Sequence, residues 1–140
     1  MGDAQTMTNP VNSPERPTIL VVDDEVLVRA MISDELRDQG YTVIEAINAD
    51  EAVAILHSPI KVDLVVTDMR MPGLMDGAGL VRLLRAELPF VKVLMVSWPA
   101  PDDSIRALLD DFLPKPFLPS QLSQRVRALT TVGSEPGDMT

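Results

Sequence analysis

Ile19-Leu20-Val21-Val22-Asp23-Asp24 is an unbroken apolar run, rich in β-branched residues, that stops abruptly on two acids. Four apolar residues with no polar alternation suit a strand covered on both faces, as in the middle of a parallel sheet. The pattern returns three times. Leu64-Val65-Val66 leads through Thr67 to Asp68, Val93-Leu94-Met95-Val96 leads to Ser97, and Phe112-Leu113 is followed closely by Lys115. Parallel strands place their carboxyl ends on one edge, so Asp23 and Lys115, far apart in the chain, would line the same crevice.

Between these runs the periodicity is helical. Glu25 to Gln39 carries Val28, Met31, Ile32 and Leu36 on one stripe and stops at Gly40, a residue suited to a helix end. Thr18 to Val22, Val62 to Thr67 and Val91 to Val96 read as buried strands, and Thr42 to Ala46, which alternates more, as an edge strand. Asn48 can cap a helix with Ala52, Ile55 and Leu56 facing inward, ending before Pro59. Gly77 to Leu88 aligns Leu80, Leu84 and Leu88. Ser120 reads as the cap of a last helix bearing Leu122, Val126 and Leu129.

The stretch from Ser97 to Lys115 is short and holds Pro99 and Pro101. A regular helix cannot pass through it, so the fourth helix, about Asp102 to Leu109, must be brief or irregular, with a stub strand at Phe112 and Leu113 after it. Five βα units in series predict an α/β fold, a flavodoxin-like (βα)5 doubly wound parallel sheet in strand order 2-1-3-4-5. Ligands of such sheets bind where the strand order reverses. Here that point lies between the first and third strands, which end in Asp23, Asp24 and Asp68.

The chain has 140 residues, 46% of them hydrophobic, enough for one domain with one core. Pro17 to Thr131 reads as that domain, and residues 1–16 and 132–140, with little to bury, as disordered tails. With 21 acidic and 12 basic residues the net charge is −9, which opposes general affinity for nucleic acid or anionic membrane. There is no cysteine, which fits a reducing compartment. Neither a signal peptide nor an apolar run of about 18 residues is present. The expected location is cytoplasmic.

Three carboxylates in one crevice require relief. At about 4 Å and an effective dielectric near 20, each like-charged pair costs roughly 4 kcal/mol. Oxygen-only ligands without histidine or cysteine favour a hard cation, and Mg²⁺ is the usual choice where a few carboxylates share it with water and phosphate. Lys115 offers a point charge to a phosphate oxygen and Ser97 a hydroxyl donor. Asp68 is the candidate nucleophile, able to form an aspartyl phosphate.

Val21-Val22-Asp23-Asp24-Glu25, Asp68-Met69-Arg70-Met71-Pro72, the Met75-Asp76-Gly77 turn, Ser97 and Lys115-Pro116-Phe117 together resemble the receiver domain of bacterial two-component response regulators. The 44 positions from Asp24 to Asp68 (68 − 24) also fit that pattern. The resemblance spans essentially all of Pro17 to Thr131. It implies that Asp68 accepts a phosphoryl group from a sensor histidine kinase in a Mg²⁺-dependent reaction. It further implies that Asp24, Asp68 and the Arg70 backbone carbonyl hold the metal directly, with Asp23 acting mainly through water. Lys115 would pair with the phosphate, across a Lys115-Pro116 bond that can be cis. Ser97 would swing toward the phosphate, and Phe112, in the aromatic switch position, would follow it inward. Such a domain catalyses its own phosphorylation and dephosphorylation without being a turnover enzyme.

Some positions depart from the family pattern. The loop after Asp68 is one residue longer, Arg70 replaces a small polar residue, and Trp98 follows Ser97 where small residues are usual. Arg70 and Trp98 would flank the path of a hydrolytic water or small phosphodonor, which predicts a long-lived phosphoryl state and poor loading by small donors. The family's output and dimerisation face is built from the fourth helix, fifth strand and fifth helix, and the shortened segment alters it, so a homodimer is a possible but not an assumed state.

The expected function is that of a stand-alone receiver signalling to a downstream protein by contact or by phosphorelay. A phosphorylation-independent interaction module of this fold is the alternative, and the complete acidic pocket with Lys115 argues against it. A phosphohydrolase of the haloacid-dehalogenase kind would need an acid where Arg70 stands, and no Gly-rich loop follows the first strand to hold a dinucleotide. Taken singly, the acid pair, Asp68, Ser97 and Lys115 also have plain readings as caps, turn formers and solvated charge. Their meeting at one sheet edge favours a site. His57, the single histidine, reads as a solvated helix-end residue.

Overall fold

The structure, a computed structural model, describes residues 16–131. The two expected tails lie outside the described residues except for Arg16. Five strands, β1 (Thr18–Val22), β2 (Thr42–Ala46), β3 (Leu64–Thr67), β4 (Lys92–Ser97) and β5 (Asp111–Pro114), alternate with helices α1 (Val26–Asp38), α2 (Ala49–Leu56), α3 (Gly77–Glu87), α4 (Asp103–Arg106) and α5 (Pro119–Thr130). The sheet has the order β2-β1-β3-β4-β5 with every neighbouring pair parallel. This is the expected doubly wound topology.

Period-two alternation along the strands divides the core into two layers. Leu20 and Val22 of β1, Val65 of β3, Val93 and Met95 of β4 and Phe112 of β5 pack with Ala52 and Leu56 of α2, Leu80, Val81 and Leu84 of α3 and Ile105 of α4. The intervening residues, Ile19, Val21, Leu64, Val66, Leu94, Val96 and Leu113, meet Ile32 and Leu36 of α1 and Leu122 and Val126 of α5. Unbroken apolar runs are therefore required in the central strands, because each residue faces one helix layer or the other.

Side chains start three of the helices. Asn48 accepts the Glu51 amide at 2.8 Å, Asp76 that of Gly79 at 2.9 Å and Asp102 that of Ile105 at 3.1 Å, each cap worth about 1 kcal/mol. The last helix starts differently from the expectation. Leu118 rather than Ser120 is its boundary residue, with Pro119 in the first turn and the Leu118 amide donating to Gln121 Oε1 at 2.7 Å. Proline already holds the backbone angle of a first helical position and lacks the amide that would go unpaired there, so Ser120 falls inside the helix.

The fourth helix is a single four-residue turn, as Pro99 and Pro101 predicted. Its following loop is held by Arg85 of α3. That guanidinium donates to the carbonyls of Leu108 at 2.7 Å, Val91 at 3.0 Å and Pro89 at 3.2 Å, and to Asp110 Oδ2 at 2.7 Å. Asp110 also accepts the Val93 amide at 2.8 Å. One side chain thus ties α3, the start of β4 and the approach to β5 together at the amino edge of the sheet.

Candidate functional site

At the opposite edge, β1 and β3 pair in register up to Val22 and Thr67. The residues just beyond continue the ladder: the Asp68 amide donates to Val22 O and the Asp23 amide to Ala46 O, both at 3.1 Å. This continuation fixes both acids side by side at the switch point. The backbone then turns sharply into α1, where Asp23 Oδ1 takes the Glu25 amide at 2.9 Å. Asp68 Oδ1 takes the Met69 amide at 2.7 Å and that of Arg70 at 3.4 Å.

Lys115 arrives from β5, its amide bound to Ser97 O at 3.0 Å, ahead of a cis bond to Pro116. Its Nζ lies 3.3 Å from Asp23 Oδ2, 3.2 Å from Asp68 Oδ2 and 3.1 Å from Glu25 Oε1. Asp23 is fully buried and Asp68 nearly so. Burial pushes the Asp23 carboxyl above its usual range, with the Asp68 charge adding to this and the Glu25 amide and Lys115 opposing it. For Lys115, burial alone would lower the pKa. The Asp23 and Asp68 charges, with hydrogen bonds to Glu25 and Asp23, overcome that and raise it.

Gly77 is part of this construction. Its amide donates to Met69 O at 2.8 Å, and a Cβ there would collide with the Asp68 carbonyl and come within 2.7 Å of Met69 Cα. Only glycine lets α3 begin so close to the Asp68 backbone. In the preceding loop Gly73 has a φ of 118°, which also favours glycine.

Residues 19–127 match the response regulator receiver domain. The chain belongs to that family. Over 117 residues it is 42% identical to the sensor kinase CckA of Brucella abortus, covering 80% of this chain and 12% of that protein. It is 38% identical over 116 residues to a probable transcriptional regulator, ycf27, of Cyanophora paradoxa, covering 79% and 47%. The receiver domain thus spans less than half the length of these curated relatives. Among solved structures it resembles the receiver domain of NtrX from Brucella abortus (TM-score 0.74, 30% identity, 80% of this chain and 97% of that one). It also resembles TrrA from Thermotoga maritima, solved in complex with Mg²⁺-BeF (TM-score 0.75, 30% identity, 81% and 98%).

Above the acids this receiver domain has an open crevice of about 390 Å³ lined by Asp24, Glu25, Asp68, Arg70, Trp98 and Lys115. Arg70 and Trp98 both stand on its rim, Trp98 68% exposed. The buried Ser97 points elsewhere, its hydroxyl donating to Pro99 O at 3.2 Å, beyond a cis Trp98-Pro99 bond. Phe112 is 92% withdrawn from solvent, given its 8% exposure, under the Arg106 guanidinium, 5.0 Å from the ring centroid. Its carbonyl accepts from Arg125 at 3.0 Å.

One acid at the site, Glu25, was not among those singled out from the sequence. The carboxylates that converge, within 4.8 Å of one another, are those of Asp23, Glu25 and Asp68. Asp24 is exposed on the crevice wall. Sequence patterning singled out the acid pair but had no signal for Glu25, because a half-exposed side chain at a helix start carries no periodicity to show which way it turns. The convergent donors are all carboxylate oxygens, partly buried, with one ammonium for three charges. Asp23 and Asp68, with Asp24 on the wall, offer only carboxylate oxygens, a set that fits a hard divalent cation, while the Glu25 carboxylate is engaged by Lys115 at 3.1 Å. His57 lies away from the crevice, on the surface, paired with Glu87 at 2.8 Å.

Proposed function

We propose that this receiver domain accepts a phosphoryl group on Asp68 from the phosphohistidine of a sensor kinase, and passes the signal on by protein contact or by onward phosphotransfer. The observation that carries this is the position of Asp68 at the switch point, its second oxygen against Lys115 and its first against two backbone amides. The Asp68 oxygen attacks phosphorus as the phosphorus–nitrogen bond to histidine breaks, and the leaving imidazole keeps the electron pair. Lys115 is drawn from carboxylate to phosphoryl oxygens, neutralising charge where it develops.

Asp23, Asp24, Asp68 and the Arg70 carbonyl would hold Mg²⁺, which supplies charge neutralisation on the transferring group. The Mg²⁺-BeF complex of the related TrrA supports this, as does the donor set. Asp23 would act mainly through water, and Asp24, on the crevice wall, would be a direct ligand. Ser97 exchanges its Pro99 carbonyl for a phosphoryl oxygen, and Phe112, the switch aromatic, follows it inward; the low exposure of its ring beneath Arg106 is in keeping with such a role. The similarity to part of a sensor kinase supports work in histidine-to-aspartate transfer, which is expected to take place in the cytoplasm. No described helix is long and apolar enough to cross a membrane.

Arg70 and Trp98 at the rim restrict small molecules and water more than a docked protein. Trp98→Ala is expected to speed both loading by small phosphodonors and loss of phosphate, and unchanged rates would remove that role. The main test is transfer of label from a phosphorylated histidine-kinase domain with Mg²⁺. Wild type becomes labelled and Asp68→Asn does not; label persisting on Asp68→Asn overturns the proposal.

A further inference from the structure

We propose that Glu25 is an electrostatic gate, a positioning residue that parks Lys115 and makes small anionic phosphodonors compete for it. This rests on Asp68 being the acceptor.

Glu25 makes the shortest of the three Lys115 contacts, at 3.1 Å, yet it differs from the other two acids. Its side chain is 59% exposed, against 1% for Asp23 and 10% for Asp68. Its backbone is pinned: the amide is held by Asp23 Oδ1, and the carbonyl accepts the Arg29 amide at 2.9 Å in the first turn of α1. The carboxylate is therefore tethered at the mouth and free to swing into water, whereas the buried acids cannot leave. An exposed pair of this kind adds little to stability, so its placement against the functional ammonium calls for another explanation.

Glu25 lines the crevice with its carboxylate on Lys115, and Arg70 is the second cation of that lining. A donor phosphate reaching Asp68 must displace Glu25 from Lys115 and pass a like charge on the way. With acetyl phosphate, the new bond forms between an Asp68 oxygen and phosphorus while the phosphorus–oxygen bond to acetate breaks, acetate leaving with the electron pair. Lys115 changes partners from Glu25 to the phosphoryl oxygens and no proton moves. The competition acts on binding rather than on the chemical step, so it belongs in KM and not in kcat. A donor docked through a protein surface brings binding energy to overcome it, and a small anion does not. Glu25 thereby favours protein donors.

The test is loading by acetyl phosphate with Mg²⁺, followed by the fluorescence of Trp98, the single tryptophan, which stands on the crevice rim. Removing the charge in Glu25→Gln should lower KM for acetyl phosphate about fivefold with kcat nearly unchanged, in keeping with electrostatic control of anion encounter. Glu25→Ala should do the same. The difference should shrink near 1 M salt, where the screening length is only about 3 Å. An unchanged or raised KM overturns the gate, as does a difference that salt leaves intact. Weaker Mg²⁺ binding by Glu25→Gln in a donor-free fluorescence titration also overturns it, since Glu25 would then be a metal ligand. Loading that depends on Asp68 with equal KM in wild type and Glu25→Gln defeats the gate alone. Absence of Asp68-dependent loading from any donor defeats the underlying reading.

Discussion

Arg85 and Lys115 are two part-buried cations at opposite edges of one sheet, and they are satisfied in opposite ways. Arg85 faces one carboxylate, Asp110, and three backbone carbonyls. Its charge is matched and its donors are used, which makes a structural lock. Lys115 faces three carboxylates, so its surroundings hold an excess of negative charge that the protein itself does not balance. A cluster left unbalanced at a switch point is one prepared for a partner carrying the missing charge. Charge balance, more than burial or hydrogen-bond number, separates the two.

The largest effect is expected where the acidic end depends on close backbone approach. Gly77→Ala would drive a methyl into the Asp68 and Met69 backbone, costing about 3 kcal/mol or more in stability, measured by urea unfolding, with Mg²⁺ binding lost alongside. Arg85→Ala should come next. Leaving Asp110 and three carbonyls without their donor costs about 2–3 kcal/mol, while Mg²⁺ affinity stays unchanged because the other edge is untouched. If Arg85→Ala weakened Mg²⁺ binding as much as stability, the two edges would not be independent.

Asp23→Asn should have a smaller effect and the opposite sign, raising metal-free stability by about 1 kcal/mol, chiefly because a buried charge no longer has to be desolvated, with relief of repulsion from Asp68 a lesser part. The pH dependence follows from its raised pKa. A group that holds its proton more tightly when folded contributes stability below its unfolded pKa and loses that contribution as pH rises through the folded one. The metal-free wild type should therefore lose this contribution as pH climbs through the upper carboxylate range, and Asp23→Asn should not. The raised Lys115 pKa acts in the same sense at the alkaline end. The smallest change is Ser33→Ala. Ser33 is fully buried on α1 with its hydroxyl unpaired, so its removal should stabilise by about 1 kcal/mol or less, showing what an unpaired polar group costs where no function is at stake.

Much of this could be read from residue order because central parallel strands leave a strong trace. Ile19 to Val22 and Val93 to Val96 are apolar throughout since both sheet faces are covered, and the residues after them must lie on one edge. That logic located Asp23, Asp68, Ser97 and Lys115 together. Asn48 was legible as a cap because its side chain acts on its own neighbours. The balance of Arg85 was not, since its carbonyl partners carry no side-chain identity. Nor was the convergence of Glu25 on Lys115, which depends on the turn after β1. Ser120 misled because serine is a common cap, while the proline before it had already set the helix start.

The most direct measurement is chemical location of the phosphoryl group. After transfer from a phosphorylated kinase domain, borohydride reduction converts an acyl phosphate to homoserine, and mass spectrometry of the peptides identifies the residue. Homoserine at Asp68, dependent on Mg²⁺ and on Lys115, is the expected result. Its appearance at Asp23, Asp24 or Asp76, or at no acid in a reaction that consumes the donor, would contradict the assignment.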